Sequence, residues 1–210
     1  MLTVCCVKQG TLYSADYVNK LAASVRRNLT LAHQFVCFTD DPHGLNADIQ
    51  IARLPDGLEG WWGKLALFDQ ANLGSSRILF FDLDTVILGS LDQIAAYDGP
   101  FAILRDFMFP KRWQSAVMAW APSALTQSIW TKWNEAGRPR VNGGDQAWIV
   151  QLLNGQYADV WQDLFPGAFV SYKVDCFYMP PKPDAKVLCF HGEPRPHQCR
   201  RPFVVKAWRC

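Results

Sequence analysis

Arg77-Ile78-Leu79-Phe80-Phe81-Asp82-Leu83-Asp84-Thr85-Val86-Ile87-Leu88 is the stretch whose reading decides the fold. Four apolar residues run into two carboxylates at i and i+2, and a second apolar run follows. A buried strand delivers acids to the rim of a sheet in this way. In an extended segment residues two apart share a face, which sets Asp82 and Asp84 about 7 Å apart on one side. Two anions so placed repel, and a divalent cation with hard oxygen ligands relieves that repulsion. A strand ending in an ordinary Asp-rich turn is the alternative.

Outward from this strand, the chain alternates strands with helices. Thr3 to Val7 reads as a strand, and Ser14 as the N-cap of a helix in which Tyr17, Leu21 and Val25 recur at helical spacing through Arg27. That unit puts the loop Lys8 to Tyr13 at the carboxyl edge of a sheet, where open α/β folds bind ligands. Gln34 to Phe38 and Ile49 to Leu54 read as further strands. Trp61 to Asn72 reads as a helix that carries Lys64 one element before the acids, and Gly74-Ser75-Ser76 ends it. Downstream, the pattern predicts a short helix over Leu91 to Tyr97 and strands over Phe101 to Leu104 and Ala116 to Trp120. A helix follows from Pro122-Ser123 to about Asn134. Gly143-Gly144 precede a helix from Asp145 to Asn154, with Asp145 and Gln146 in the first turn, where unpaired amides favour an anion. A last strand, Val187 to Phe190, leads into His191-Gly192-Glu193-Pro194-Arg195-Pro196-His197. The expectation is one α/β domain with a mostly parallel, mixed central sheet flanked by helices.

At 210 residues, half of them apolar and with a formal net charge of +2, the chain is long enough to bury a full core. Thirteen Phe and nine Trp suit a packed core plus a cleft that stacks planar or sugar rings. The opening apolar run is too short for a signal-peptide core or a span, and Gln114, Ser115, Pro122, Ser123 and Gln127 interrupt the uncharged stretch from Trp113 to Thr131. Seven cysteines, with no Cys-x-x-Cys pair, suit reduced core thiols. A soluble, cytoplasmic protein is expected.

The helix carrying Lys64-Leu65, the strand ending Phe81-Asp82-Leu83-Asp84, the downstream Asp145-Gln146 and the late His191-Gly192 with Arg195-Pro196 occur in an order that resembles glycogenin-like and bacterial lipopolysaccharide galactosyltransferase-like enzymes. These are retaining glycosyltransferases of the GT-A, Rossmann-like fold. The resemblance covers Thr3 to about His197, taken as a nucleotide-sugar domain over 1–197. It implies that Asp82 and Asp84 bind metal and nucleotide, that His191 is the third metal ligand, and that Gly192 and Arg195 border the diphosphate. Arg195 replaces the family's lysine, keeping the cation and adding bidentate reach. Lys64 and Asp106 are implied donor-sugar contacts, and Asp145 with Gln146 the pair beside the reacting carbon. Gln114-Ser115-Ala116 replaces a family Asn-Ser-Gly or Asn-Ala-Gly, and His197 a Trp, which leaves the donor sugar open.

The chemistry agrees. A sugar nucleotide leaves as a diphosphate, and a divalent ion on its oxygens neutralises the charge that develops. Two aspartates and an imidazole suit Mn²⁺, with Mg²⁺ as a substitute. The implied reaction is transfer of a hexose from a nucleoside diphosphate sugar, a UDP-sugar first, to a glycan or lipid-linked acceptor. Asp82-Leu83-Asp84-Thr85-Val86 also satisfies the pattern of haloacid dehalogenase-like phosphatases, with Asp82 as nucleophile. That family opens its core with this strand and needs a late acidic pair, whereas Asp159, Asp163, Asp175 and Asp184 are scattered singly. A third alternative is a non-catalytic sugar-nucleotide-binding module.

Residues 198–210 read as a basic and aromatic tail. From Arg195 onward, Arg195, Arg200, Arg201, Lys206 and Arg209 meet no acid and interleave with Phe203, Val205 and Trp208. Such a segment suits an anionic membrane surface. Nucleic acid is not an expected partner, because one short tail on a nearly neutral chain leaves a weak electrostatic footprint.

Overall fold

The computed structural model describes residues 1–153 and 158–210. In chain order, β1 (Leu2–Lys8), α1 (Ala15–Asn28), β2 (His33–Thr39) and β3 (Gln50–Arg53) precede a 3-10 helix (Gly60–Phe68) and α2 (Gln70–Leu73). Then come β4 (Arg77–Phe81), β5 (Thr85–Ile87), α3 (Asp92–Ala95), β6 (Phe101–Arg105), β7 (Trp113–Trp120), α4 (Ala124–Glu135) and α5 (Gly144–Leu153). The remainder holds β8 (Asp159–Val160), α6 (Trp161–Leu164), β9 (Phe169–Ser171), α7 (Tyr172–Asp175), β10 (Val187–Cys189), a 3-10 turn (Pro196–Gln198) and α8 (Pro202–Ala207). Most expected elements are present with shifted ends, the helix expected over Trp61 to Asn72 is divided in two, and the expected helix end at Asn154 lies outside the described residues.

The seven-stranded sheet has the order β3-β2-β1-β4-β7-β6-β8. It is parallel from β3 to β4, antiparallel across β4-β7-β6, and parallel again at β8. Alternation along the strands divides the core between its two faces. Val4, Cys6, Leu79 and Phe81 pack with Val18, Leu21 and Val25 of α1. Cys5, Ile78 and Phe80 pack on the other face with Trp62, Leu65 and Phe68, and with Trp130, Trp133 and Ile149 of α4 and α5. All seven cysteines are free thiols, and Cys210 alone is exposed.

Three departures position the site. First, the acids do not lie on one extended strand. β4 ends at Phe81, the Asp84-bearing turn closes with Thr85 N donating to Asp82 O at 3.1 Å, and β5 pairs with β10 in a separate three-stranded sheet, β5-β10-β9. The carboxylates therefore sit where the chain steps from one sheet to the other. Second, Trp61 to Asn72 is not one α-helix. Its first part winds at three residues per turn, so residues three apart eclipse. Trp62, Leu65 and Phe68 form the buried ridge, Trp61 and Lys64 share a second, and the small ridge through Gly63 lies against β1. A Cβ on Gly63 would stand 3.2 Å from Val7 Cγ1, a tight contact that Val7 would have to yield to. Asp69 then caps α2 by accepting from Ala71 N at 3.1 Å.

Third, the C-terminal segment is part of the fold. Val204 is fully buried and Trp208 is 9% exposed, and both belong to the α1-side core. The Trp208 ring packs on Tyr17 and carries Lys20 Nζ 3.9 Å from its centroid. Arg27 donates to the carbonyls of Ala207 and Arg209 at 3.0 and 2.9 Å. Trp208, read as facing a membrane, thus faces the core, because Val204 and Trp208, four residues apart, lie on one side and find apolar partners on α1, while Val205 stays exposed. Among the described residues no helix is long and apolar enough to cross a membrane.

Candidate active site

The carboxyl ends of β1 and β4, the loop after β1 and the first turn of the long 3-10 helix enclose a cavity of about 330 Å³. Val7, Tyr13, Trp61, Lys64, Asp82 and Asp84 line it. Gln9 ties its rim by donating to Leu58 O at 3.0 Å and accepting from Gly60 N. Its centre is Lys64, whose ammonium lies 2.9 Å from Asp82 Oδ1 and 3.2 Å from Asp145 Oδ2. Lys64 Nζ also donates to Ser115 Oγ at 3.1 Å, and that hydroxyl donates to Asp145 Oδ2 at 3.3 Å. Burial works against the lysine's charge, but Asp145 and Asp82 together hold its pKa above the ordinary range. The lysine is therefore held protonated, and it bridges the acid of β4 to the start of α5.

A bulge supplies Ser115. The β6–β7 register shifts between Ile103 and Leu104, which throws β7 outward beside the acids. Ser115 N donates to Gln146 Oε1 at 3.2 Å. Gly143 and Gly144, at φ 91° and 70°, turn the chain into α5. A Cβ on Gly144 would meet Trp61 Nε1 at 2.7 Å, so both its conformation and its closeness to Trp61 call for glycine. Gln146 lines a second cavity, of about 610 Å³, with Lys111, Arg112 and Trp113.

Asp84 is buried and forms none of the ion pairs found among the described residues. Tyr13 Oη donates to its Oδ2 at 3.2 Å. Burial, then the charge of Asp82, pushes its carboxyl up to about 7. An acid held against its ordinary ionisation, beside a second acid in a cavity, fits a hard cation completed by ligand oxygens.

His191 does not complete a cage. Among the described residues no three His, Cys, Asp or Glu side chains are gathered to hold an ion. Backbone pairing brings Phe190 N to Asp84 O at 3.1 Å, but the His191 ring turns to Ser171, with Nε2 at 2.7 Å from Oγ, and stacks on Phe107. Burial, then Lys173, lowers the His191 pKa, and Asp106 opposes them. Gly192, at φ 77°, turns the chain toward Arg195, whose guanidinium lies 5.2 Å from the Tyr13 ring centroid. Asp106 stands apart from the Lys64 cluster, because its Oδ1 accepts from Met108 N and Phe109 N at 2.8 Å and braces its own loop.

Phe81 is core, and Leu83 lines the smaller cavity. Sequence reasoning did not single out Tyr13, Trp61 or Gln9. Their signal was the loop after β1 and the period of three in the helix, which an expected α-helix hides.

No family model matches this sequence, and no curated protein sequence matches it. Solved structures of glycosyltransferases share its fold. The glycosyltransferase GlyE of Streptococcus pneumoniae TIGR4 superposes with a TM-score of 0.67 at 12% identity over 92% of this chain, which spans 55% of the GlyE chain. An active-site variant of LgtC superposes at 0.66 and 12% identity, covering 97% of this chain and 93% of LgtC. The galactosyltransferase LgtC in complex with donor and acceptor sugar analogues superposes at 0.60 and 13% identity, covering 92% and 88%. The expected GT-A fold, resembling that of LgtC, is the fold of this chain.

Proposed function

We propose that the chain is a glycosyltransferase that moves a hexose from a nucleoside diphosphate sugar, UDP-linked, to a hydroxyl of a glycan or lipid-linked acceptor, with retention of anomeric configuration. One observation carries this reading: Lys64 joins the strand-end acid Asp82 to Asp145, whose neighbour Gln146 lines the second cavity, so one cluster ties the paired carboxylates of the first cavity to the second. Asp82 and Asp84 would hold Mn²⁺ or Mg²⁺ against the donor diphosphate, where it supplies charge neutralisation of the leaving group. His191 would join them as the third ligand only once its ring leaves Ser171 Oγ, and its lowered pKa favours the neutral imidazole that donates a lone pair.

The chain's own residues do the remaining work. Lys64 fixes Asp82 and Asp145 and offers a cation to the donor sugar. Arg195, beside Tyr13, offers a fork to the diphosphate. Gln146, held by Ser115 N, presents its amide to the second cavity, and a polar group there would stabilise positive charge at the anomeric carbon and order the acceptor. Gln114 Oε1 is buried without a partner among the described residues, an acceptor that suits a sugar hydroxyl.

The phosphatase alternative needs a late acidic pair beside Asp82. Asp159, Asp163 and Asp175 instead engage Tyr97, Arg105 and the Ser171 amide. A binding module without turnover has little use for the Lys64–Asp145–Gln146 arrangement. The test is turnover of UDP-hexoses with Mn²⁺ and product analysis by NMR. Gln146→Ala is expected to lower kcat with little change in donor affinity, and the product to keep its configuration. An inverted product would make Asp145 or Asp106 the base and break the reading.

A further inference from the structure

The two cavities share no lining residue but are linked through Lys64, Ser115 and Gln146, and they differ in charge. The smaller holds Asp82 and Asp84; the larger, of about 610 Å³, is lined by Lys111, Arg112, Trp113, Asn142, Gly143 and Gln146 among others, and no carboxylate lines it. Neither Lys111 nor Arg112 takes part in any ion pair found among the described residues. A neutral sugar gives two adjacent exposed cations no partner, whereas a phosphate or carboxylate does. Resting on the transferase reading above, we infer that this cavity takes an acceptor sugar bearing an anionic group, its ring against Trp113 and its charge on Lys111 and Arg112.

The backbone that carries the cations is closed into a defined loop. Asp106 accepts from Met108 N and Phe109 N, Asp106 N donates to Arg112 O at 2.9 Å, and Arg112 N donates to Phe109 O at 2.8 Å. The loop is thus closed on itself, and the Arg112 guanidinium lies 5.0 Å from the Phe109 ring centroid. Trp113 is half-buried and offers an apolar face beside the charges. The positive end of α5, at Gly143, adds to the same field. A ligand anchored by its anion at Lys111 and Arg112 would extend toward Gln146, which lines the same cavity. The anion's source is the phosphate of a lipid-linked sugar or the acid group of a charged glycan.

Binding of methyl galactoside, galacturonate, galactose 6-phosphate and a short-chain prenyl diphosphate galactose to the full chain, titrated with UDP and Mn²⁺ present, tests this. The charged sugars are expected to bind at least about tenfold more tightly than the neutral one, and the advantage to shrink at high salt because the cations are exposed. The Lys111→Gln/Arg112→Gln variant, checked for folding by its melting curve, is expected to lose that advantage. Tightest binding of the prenyl diphosphate sugar points to a lipid carrier, and of the uronate or monophosphate to an acidic glycan. Equal binding of neutral and charged sugars, or an advantage that survives both substitutions, overturns the inference. UDP binding together with such a result leaves the transferase reading standing. Charge-dependent sugar binding without any UDP binding keeps the pocket and sinks that reading.

Discussion

Removing the ammonium of Lys64 would leave Asp82 and Asp145 facing each other without a cation in a buried cluster. Lys64→Met is therefore expected to destabilise the fold by about 3–5 kcal/mol in urea denaturation, and adding Asp145→Asn to restore part of the loss. Asp84 behaves in the opposite sense. Its carboxyl titrates near 7 in the folded chain but near 3.8 when unperturbed, so between those values the folded state binds more protons. Raising the pH through that window therefore weakens the metal-free fold, by about 1.4 kcal/mol per unit at most. Asp84→Asn should flatten this slope and melt higher than wild type at pH 8 in chelator, while abolishing Mn²⁺-dependent turnover. A wild-type melting temperature that rises from pH 5 to pH 8 would contradict the assignment of this burden to Asp84. The acid pair, Lys64, Asp145 and Gln146 were legible as residue types at the right places in the chain. Their joining through Ser115 was not, because a bulge in β7 makes it and nothing in a two-residue alternation signals a bulge.

At the scale of elements, geometry rather than side-chain chemistry sets the cavity. The period of three in Gly60–Phe68 aligns Trp61 with Lys64, and Gly144 lets Trp61 close against α5. Gly144→Ala is expected to cost about 1–2 kcal/mol for its left-handed backbone and to weaken donor binding by displacing Trp61. Unchanged donor affinity in that variant would detach Trp61 from the site. Apolar residues here satisfy either helical period over two turns, so the sequence pattern chose the commoner α-helix. The strands were easier to read, since β1, β2 and β4 carry unbroken apolar runs that a buried parallel sheet requires. The short β9 and α7, which hold Ser171 against His191, carry no period long enough to read.

Across the whole molecule, the site exists because a small sheet, β5-β10-β9, docks against the large one where the chain crosses at Asp82–Asp84. The sequence showed that a strand ends there, but a single apolar–acid–apolar run does not say that its halves join different sheets. The C-terminal segment closes the same side of the molecule, so Trp208→Ala is expected to cost about 3–5 kcal/mol, as truncation of a buried tryptophan does. A chain ending at Gln198 is expected to lose cooperative unfolding, and full stability of that shortened chain would make the segment an appendage after all. The central claim is that Asp82 and Asp84 hold a cation that binds the diphosphate of a sugar nucleotide. Titration of UDP-glucose and UDP-galactose into the full chain, with Mn²⁺ and with excess chelator, tests it most directly. Saturable binding with Mn²⁺ is expected, with stabilisation of about 2.7 kcal/mol at a hundred times Kd. That binding should be lost in chelator and in Asp84→Asn, whereas equal binding with chelator, or unimpaired binding by Asp84→Asn, would contradict the claim.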